Sequence, residues 1–144
     1  MAEKVDRVVV EKSERRMYLM SGDEVFRQYR VSLGASPSGH KRREGDEKTP
    51  EGRYLLDWRN PDSKYYRSIR VSYPNENDVQ QAKENGHPPG GNIFIHGLPN
   101  GKGLLARTFE GQDWTDGCIA VNDNLAMWEI WSLVKLGTPI EIKP

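Results

Sequence analysis

Apolar and polar residues alternate along the first part of the chain, and this pattern predicts β-strands. Short apolar runs at 8–10 and 17–20 precede a turn at 21–23, and a longer alternating stretch occupies 25–33. Because successive side chains of a strand point to opposite faces of a sheet, this spacing indicates a half-buried strand. We therefore expect a meander or hairpin over 5–33. One face of its last strand is formed by Val25, Tyr29, Val31 and Leu33.

Four more strands are predicted after a long polar loop. Residues 34–52 are polar and rich in turn formers, and a loop of that length in a small domain is usually functional or mobile. A glycine-rich excursion over 97–111 separates two of the later strands. Apolar or β-branched runs bounded by turn residues place these strands at 53–58, 92–96, 119–121 and 138–142.

Helical periodicity is strong at one place, near the end of the chain. An Asn or Asp at 122–124 supplies the N-cap, and Gly137 is predicted to end the helix. We assign Trp128 and Trp131 to its core-facing side. The polar stretch 78–84 predicts a second, shorter helix. Apolar residues recur at i, i+3, i+4 and i+7 in the C-terminal helix, namely Met127, Ile130, Trp131 and Val134.

Many strands and one strong helix predict a mainly β fold, and the length predicts a single domain over 1–144. Because 21 basic residues balance 21 acidic ones, no net field draws the chain to nucleic acid or an anionic bilayer. No segment approaches the length of a membrane span, and the first twenty residues lack the apolar core of a signal peptide. A cytoplasmic location is expected for the chain as it stands, and a periplasmic one if an export signal has been trimmed.

The single cysteine, Cys118, excludes an internal disulfide and a multi-cysteine zinc site. It is either a buried small hydrophobe, the commoner state of a free cysteine, or a reactive thiol. His96, at the end of a predicted apolar strand, could deprotonate it. Acyl transfer requires such a nucleophile and base together with donors for the oxyanion, and the N–H groups around Gly117 are candidate donors. Asp116 would raise the pKa of the thiol, whereas a charged His96 would lower it.

Weaker candidates remain open beside this pair. A metal site formed by His96, Cys118 and a carboxylate is an alternative, although no HxxxH or CxxC spacing supports it. His40 and His87 lie in polar loops, where solvation is more common than a substrate role. Lys41, Arg42 and Arg43 form a basic cluster that we assign to a solvated loop. Trp114 is a candidate pocket wall.

Several motifs in order resemble the catalytic domain of L,D-transpeptidases, the YkuD family. The motif begins at His96 and ends with the run Thr115 to Ile119, which contains Gly117 and Cys118. The resemblance extends over nearly the whole chain, because three further segments look like family motifs: 29–34 like YxVSLG, 45–54 like GDxxTPEGxY and 93–97 like IxIHG.

The resemblance implies a β-sandwich-like domain with one C-terminal helix and short helical segments. It also implies a cysteine enzyme that attacks the amide between the third residue and D-alanine of a peptidoglycan stem peptide. Cys118 is then the nucleophile, His96 the general base and Gly117 part of the oxyanion loop. No cofactor or metal is needed, and the oligomeric state stays open. Substrate-binding roles are assigned to Gly97, Trp114, Thr115, Asp116 and Arg107.

Two positions depart from the family pattern. Asp116 stands where a second histidine is usual, and Ala120 stands where an arginine or asparagine is common. Arg107 or Lys102 could supply the missing group. Because some members similar to this chain are thought to cleave wall amides, a hydrolase that uses water as acceptor is the second hypothesis. A non-catalytic wall-binding module is the third, and the intact Cys118 and His96 pair argues against it.

Overall fold

The computed structural model describes residues 5–144, which form eight strands, three helices and a 3-10 turn at Gly103–Leu105. With 35% of residues in strands and 20% in helices, the mainly β prediction is confirmed. The single-domain prediction includes residues 1–4, which lie outside the described residues, and it stays a prediction. The helices are α1 Glu76–Glu84, α2 Ala106–Phe109 and α3 Asn124–Leu133. The strands are β1 Arg7–Glu11, β2 Arg16–Ser21, β3 Glu24–Arg30, β4 Gly52–Ser63, β5 Tyr66–Val71, β6 Phe94–His96, β7 Ile119–Ala120 and β8 Pro139–Lys143.

The strands form one sheet in the order β3-β2-β1-β8-β4-β5-β6-β7. The long strand β4 joins its two halves, since residues 52–55 pair with β8 and residues 56–63 pair with β5. Beyond β3, Ser32 forms a bridge to Ala120 of β7. The two ends of the sheet therefore meet, and the segment that follows β3 lies beside β7.

The strand predicted over 25–33 ends at Arg30, because the chain changes partner there. Up to Arg30 it pairs with β2, whereas Ser32 exchanges two hydrogen bonds of 2.9 Å with Ala120. The apolar pattern follows this change only in part: Val31 and Leu33 are buried, but Val25 is exposed on the edge strand.

One apolar cluster includes residues from both halves of the sheet and from α3. Each large apolar side chain that is fully buried contributes about 1.5–3 kcal/mol to folding. This core fixes the positions of the short strands β6 and β7, because their inward residues are part of it. Its fully buried members include Val8, Val10, Leu19, Leu56, Ile95, Ile119, Met127 and Ile130.

The C-terminal helix is confirmed, with two corrections. Asp123 caps it by accepting the N–H groups of Leu125 and Ala126. However, α3 ends at Leu133, and Gly137 lies in the turn before β8, where its N–H donates to the Leu56 carbonyl. Trp128 is 53% exposed and not in the core, because it lies about 100° around the helix from the buried Met127.

Residues 35–51 form the predicted long loop, but its basic cluster is not uniformly solvated. Lys41 is buried, and its ammonium contacts the Asp46 carboxylate at 2.9 Å, so the solvated prediction is wrong for this residue. Lys12, just after β1, is also buried and donates to the carbonyls of Gly39 and Thr49 at 2.9 and 2.6 Å. Lys12 therefore fastens the loop to the sheet, and Lys41 closes the loop on itself.

Candidate active site

Cys118 and His96 lie on neighbouring segments at the end of the sheet. Strands β6 and β7 run parallel, with Ile95 opposite Ile119 and His96 opposite Ala120. Because side chains alternate along a strand, Cys118 and Ala120 face the same side as His96. Residues 22 positions apart in sequence are thus brought to one face of adjacent strands.

The thiol of Cys118 is held by backbone groups of the chain that enters β6. The Phe94 N–H donates to Sγ at 3.4 Å, and the thiol donates to the Asn92 carbonyl at 3.3 Å. Burial raises the pKa of Cys118 to about 11. The Phe94 N–H opposes this rise, while the negative charge of Asp116 adds to it. At neutral pH the resting cysteine is therefore a thiol.

The imidazole of His96 is buried with a fixed tautomer. Its Nδ1 lies 2.7 Å from the Gly97 carbonyl, which can only accept, so Nδ1 carries the proton and Nε2 is left as a base. Burial lowers the pKa of His96 to about 4, against the opposing effect of the Gly97 hydrogen bond. The Tyr65 ring stacks on the imidazole with centroids 4.3 Å apart.

These shifts give a neutral resting pair. A charged His96 would be needed to lower the pKa of the thiol, but burial favours the uncharged form of both groups. A thiolate–imidazolium pair is therefore not the resting state. What the arrangement provides is an unprotonated ring nitrogen on the same face as a thiol, which suits general-base removal of the thiol proton.

The loop before Cys118 is fastened by Thr115. Its hydroxyl donates to the Cys118 carbonyl at 2.7 Å and accepts the Gly117 N–H at 3.1 Å. Gly117 has φ +140°, and a Cβ there would lie 2.7 Å from the Lys48 carbonyl oxygen. Only glycine allows this close approach of the long loop. Because the Gly117 N–H is engaged, the Cys118 N–H is the better candidate oxyanion donor.

Aromatic side chains pack around the His96 ring. Trp114 lies 5.6 Å from the His96 ring and 4.9 Å from that of Phe109, measured between centroids. The Trp114 indole donates to Asn122 Oδ1 at 3.0 Å, and Asn122 donates to the Ser32 hydroxyl at 2.8 Å. Sequence reasoning named Trp114 as a pocket wall but missed its supports. No local sequence signal marks them, because they come from four separate segments: Ser32, Tyr65, Phe109 and Asn122.

The other residues assigned to substrate binding differ in their placement. Gly97 and Thr115 are buried beside the pair, and a Cβ on Gly97 would lie 2.6 Å from Asn124 Oδ1. Asp116 is exposed next to Cys118. Arg107 is exposed on α2, and Lys102 is exposed just before the 3-10 turn. Binding roles for these residues stay predictions.

His40 is not free in solvent, which corrects the sequence-based expectation. It accepts the Glu51 N–H at Nδ1 and bonds to the buried Asp78 carboxylate through Nε2, both at 2.8 Å. His87 is half-buried near the same helix. Between residues 5 and 144, no three His, Cys, Asp or Glu side chains gather in a way that could hold a metal ion.

The curled, mainly β fold with this site is that of L,D-transpeptidase catalytic domains. The chain belongs to the YkuD family, since the model of the L,D-transpeptidase catalytic domain matches residues 5–142. YafK of Escherichia coli strain K12, provisionally named an L,D-transpeptidase, is 34% identical over 109 residues. That match covers 71% of this chain but 42% of YafK, so the chain spans less than half of this curated relative.

Solved structures agree in fold. The helical cell shape determining protein Pgp2 from Campylobacter jejuni superposes with a TM-score of 0.68 at 25% identity, over 99% of this chain and 53% of Pgp2. Bd1075 from Bdellovibrio bacteriovorus gives a TM-score of 0.64 at 25% identity, over 96% of this chain and 48% of Bd1075. An L,D-transpeptidase from Mycobacterium smegmatis gives 0.60 at 18% identity, over 95% and 58%. The last likeness shows the fold alone. Each of these proteins is longer than the chain described here.

Proposed function

We propose that this protein is a cysteine-dependent peptidoglycan L,D-transpeptidase. In this proposal Cys118 is acylated by a stem tetrapeptide at the amide between its third residue and the terminal D-alanine. The observation that carries the proposal is the placement of the Cys118 thiol on the same face of adjacent strands as the imidazole of His96, whose Nδ1 proton is fixed by Gly97. Family membership supports peptidoglycan as the substrate class. None of the helices between residues 5 and 144 is long and apolar enough to cross a membrane.

Acylation begins when a stem peptide covers the thiol. His96 Nε2 takes the proton from Sγ as the sulfur attacks the carbonyl carbon, and the carbonyl oxygen becomes an oxyanion. The Cys118 N–H donates to that oxyanion. The tetrahedral intermediate collapses with cleavage of the C–N bond, and the imidazolium gives its proton to the departing amine. D-alanine leaves, and the thioester remains on Cys118.

Deacylation reverses these roles with a new nucleophile. An amine of a second stem peptide, or a free D-amino acid, attacks the thioester carbon while His96 accepts its proton. The C–S bond then breaks, and the sulfur takes the proton back from the imidazolium. General acid–base catalysis of this kind contributes about 10²- to 10⁴-fold to the rate. Because the family acts on peptidoglycan, we propose the bacterial cell envelope as the location of this activity.

The test is an exchange reaction with a muropeptide that carries a tetrapeptide stem. The purified protein is incubated with this muropeptide and excess D-methionine, and the products are identified by mass spectrometry. We expect D-methionine in place of the terminal D-alanine. Replacement of Cys118 by alanine should abolish the exchange, because the thioester cannot form. That substitution should leave the fold intact, since the half-buried side chain loses a single atom.

Two outcomes would contradict parts of the proposal. Exchange that persists in the Cys118→Ala protein would exclude Cys118 as nucleophile. A tripeptide product without incorporated D-methionine, formed only by the intact cysteine, would keep Cys118 but make water the acceptor. The protein would then be an L,D-carboxypeptidase.

A further inference from the structure

A polar cavity of about 300 Å³ lies between the long loop and one face of α1, and neither Cys118 nor His96 lines it. It is enclosed by the loop on one side, by the helix on another, and by the segment that follows the helix. No large apolar side chain is among its lining residues. These include Lys41, Arg42, Asn77, Asp78, Gln81 and His87.

Part of this lining is a rigid wall whose polar atoms are already paired. One Asp78 oxygen accepts a hydrogen bond from the Nε2–H group of His40 at 2.8 Å, and the other accepts one from the Tyr54 hydroxyl at 2.7 Å. Lys41 is neutralised by Asp46 at 2.9 Å. These groups are positioned without any ligand, so they provide a preorganised frame and not the contacts that a ligand would make.

Other polar side chains at the cavity lack a hydrogen-bond or ion-pair partner among residues 5–144. The buried Nδ1 of His87 has no hydrogen-bond partner among residues 5–144, which costs stability unless a ligand or water supplies one. The Arg42 guanidinium is exposed and forms no ion pair with any acid of this described range, since the nearby Asp46 is taken by Lys41. Asn77 and Gln81, one turn apart on α1, add side-chain amides on the same face.

We infer that this cavity binds a carboxylate of the peptide substrate, at a distance from the amide that Cys118 attacks. A guanidinium pairs with a carboxylate in two parallel hydrogen bonds, and side-chain amides and an imidazole N–H are suitable further donors. The charge of Asp78 in the wall repels a dianion such as phosphate more strongly than a singly charged carboxylate. The identity of the peptide as peptidoglycan rests on the proposed function.

The chain connects this cavity directly to the thiol. Residues 88–92 run from His87 to Asn92, whose carbonyl accepts the Cys118 thiol. The Glu44 N–H donates to the Pro88 carbonyl at 3.0 Å and ties the long loop to this connection. Five extended residues span at most about 17 Å, so the cavity lies within about that distance of the Asn92 carbonyl.

Binding is tested on the Cys118→Ala protein, in which the result does not depend on catalysis. The chain has three histidines, so the imidazole ¹⁵N signals are few, and that of His87 is identified by its loss in a His87→Gln variant. Butyrate, a monocarboxylate, is the first probe, and the stem tripeptide is the second. We expect both to shift the His87 signals saturably.

Arg42→Gln and Arg43→Gln form a matched pair of variants, because both side chains are exposed but only Arg42 lines the cavity. Loss of a charge-assisted bidentate contact should weaken binding of both probes about tenfold in Arg42→Gln and leave Arg43→Gln unchanged. Equal affinities of the two variants, or no response of His87, would overturn the inference. Tighter binding of inorganic phosphate than of butyrate would also overturn it.

The catalytic consequence is measured separately with the intact cysteine. Arg42→Gln should raise KM for the tetrapeptide muropeptide several-fold, whereas Arg43→Gln should match the unmodified protein. If butyrate and the tripeptide bind but the protein with intact Cys118 does not turn over muropeptide, the proposed function fails and the carboxylate site stands. If turnover depends on Cys118 but His87 shows no response, the carboxylate site fails alone.

Discussion

At the scale of single residues, burial determines the chemistry of Cys118 and His96. The pKa of the thiol is raised to about 11 and that of the imidazole is lowered to about 4, so both are uncharged at neutral pH. Two uncharged groups avoid the cost of placing unsolvated charges in the site before a substrate is present. The proton moves only when the attack on a carbonyl creates a charge that backbone N–H groups can stabilise.

The buried His96 should make stability depend on pH. In the folded protein its pKa is about 4, below the ordinary value of 6.5 that applies after unfolding. As pH falls from 6.5 to 4 the unfolded chain binds this proton first, so folding stability is lost across that window. The difference corresponds to about 3 kcal/mol. When the pH is lowered from 7 to 4, we therefore expect the unfolding free energy of the His96→Gln protein to fall by about 3 kcal/mol less than that of the unmodified protein.

The measurement is urea unfolding of both proteins at pH 7 and pH 4. The carboxylates titrate in both proteins, so the comparison isolates the effect of the imidazole. Equal losses of unfolding free energy in the two proteins would show that His96 is not a buried neutral base.

At the scale of elements, the site depends on the contact between the long loop and the loop that ends at Cys118. A Cβ on Gly34 would lie 2.2 Å from the Glu47 carbonyl oxygen and 3.1 Å from the Gly117 Cα. Thr115 continues this contact, because it exchanges backbone hydrogen bonds with Leu33 and Ala35. The segment after β3 therefore sets the position of the residues that precede the thiol.

Replacement of Gly34 by alanine should be destabilising. Its neighbours in this contact are backbone atoms, which cannot move aside as a flexible side chain could, so we expect a loss of about 3 kcal/mol. The same shift should displace Gly117 and lower kcat/KM. Unfolding in urea and exchange kinetics measure the two effects.

Gly103→Ala is the matched control, since a Cβ there meets nothing within 4 Å and its φ is not positive. We expect this substitution to change stability by less than about 0.5 kcal/mol. If Gly34→Ala is as stable and active as Gly103→Ala, the two loops are not in the close contact described here.

At the scale of the whole molecule, the curled sheet and the fastened loop act together. β4 joins the two halves of the sheet, and the loop that precedes β4 crosses from the end of the sheet back to its middle. Lys41 and Asp46 close this loop on itself, with the Asp46 carboxylate also accepting the N–H groups of Arg42 and Arg43. Both the thiol loop and the α1 cavity contact it.

Removal of the Asp46 charge should destabilise the protein. Burial alone would raise the pKa of Asp46, but the N–H groups of Arg42 and Arg43 and the Lys41 ammonium outweigh it and lower the pKa to about 2. Its contribution is therefore present above pH 3.8 and is lost as pH falls through about 2. Asp46→Asn also leaves Lys41 buried without its partner, and we expect a loss of about 3 kcal/mol at pH 7.

Asp57→Asn provides the comparison, because the Asp57–Arg70 pair is also 2.9 Å long but partly exposed. Surface pairs contribute about 0–1 kcal/mol, so this variant should unfold nearly as the unmodified protein does. Equal urea midpoints for the two variants would contradict the structural role given to Asp46.

Much of the fold was predictable from local patterns in the sequence. The β1–β2–β3 meander, the long loop, β6, β7, α1, the cap of α3 and β8 follow from period-2 or helical spacing and from turn or capping residues, which act over a few neighbours. The motif from His96 to Cys118 could likewise be recognised from the sequence. Boundaries set by distant partners were not predictable in this way. β3 ends at Arg30, just before Ser32 pairs with Ala120, and α3 ends at Leu133, four residues before Gly137, where the sequence pattern predicted its end.

The sequence by itself determined the strand and helix pattern, the family and the identity of the candidate pair, because these depend on residue type and spacing along one chain. Only the tertiary structure decided what surrounds them. Lys41 and His40 lie in a polar loop by sequence but are buried or bonded, since Asp46 and Asp78 meet them in space. The opposed pKa shifts of Cys118 and His96 likewise come from desolvation by the folded chain, which no local pattern encodes.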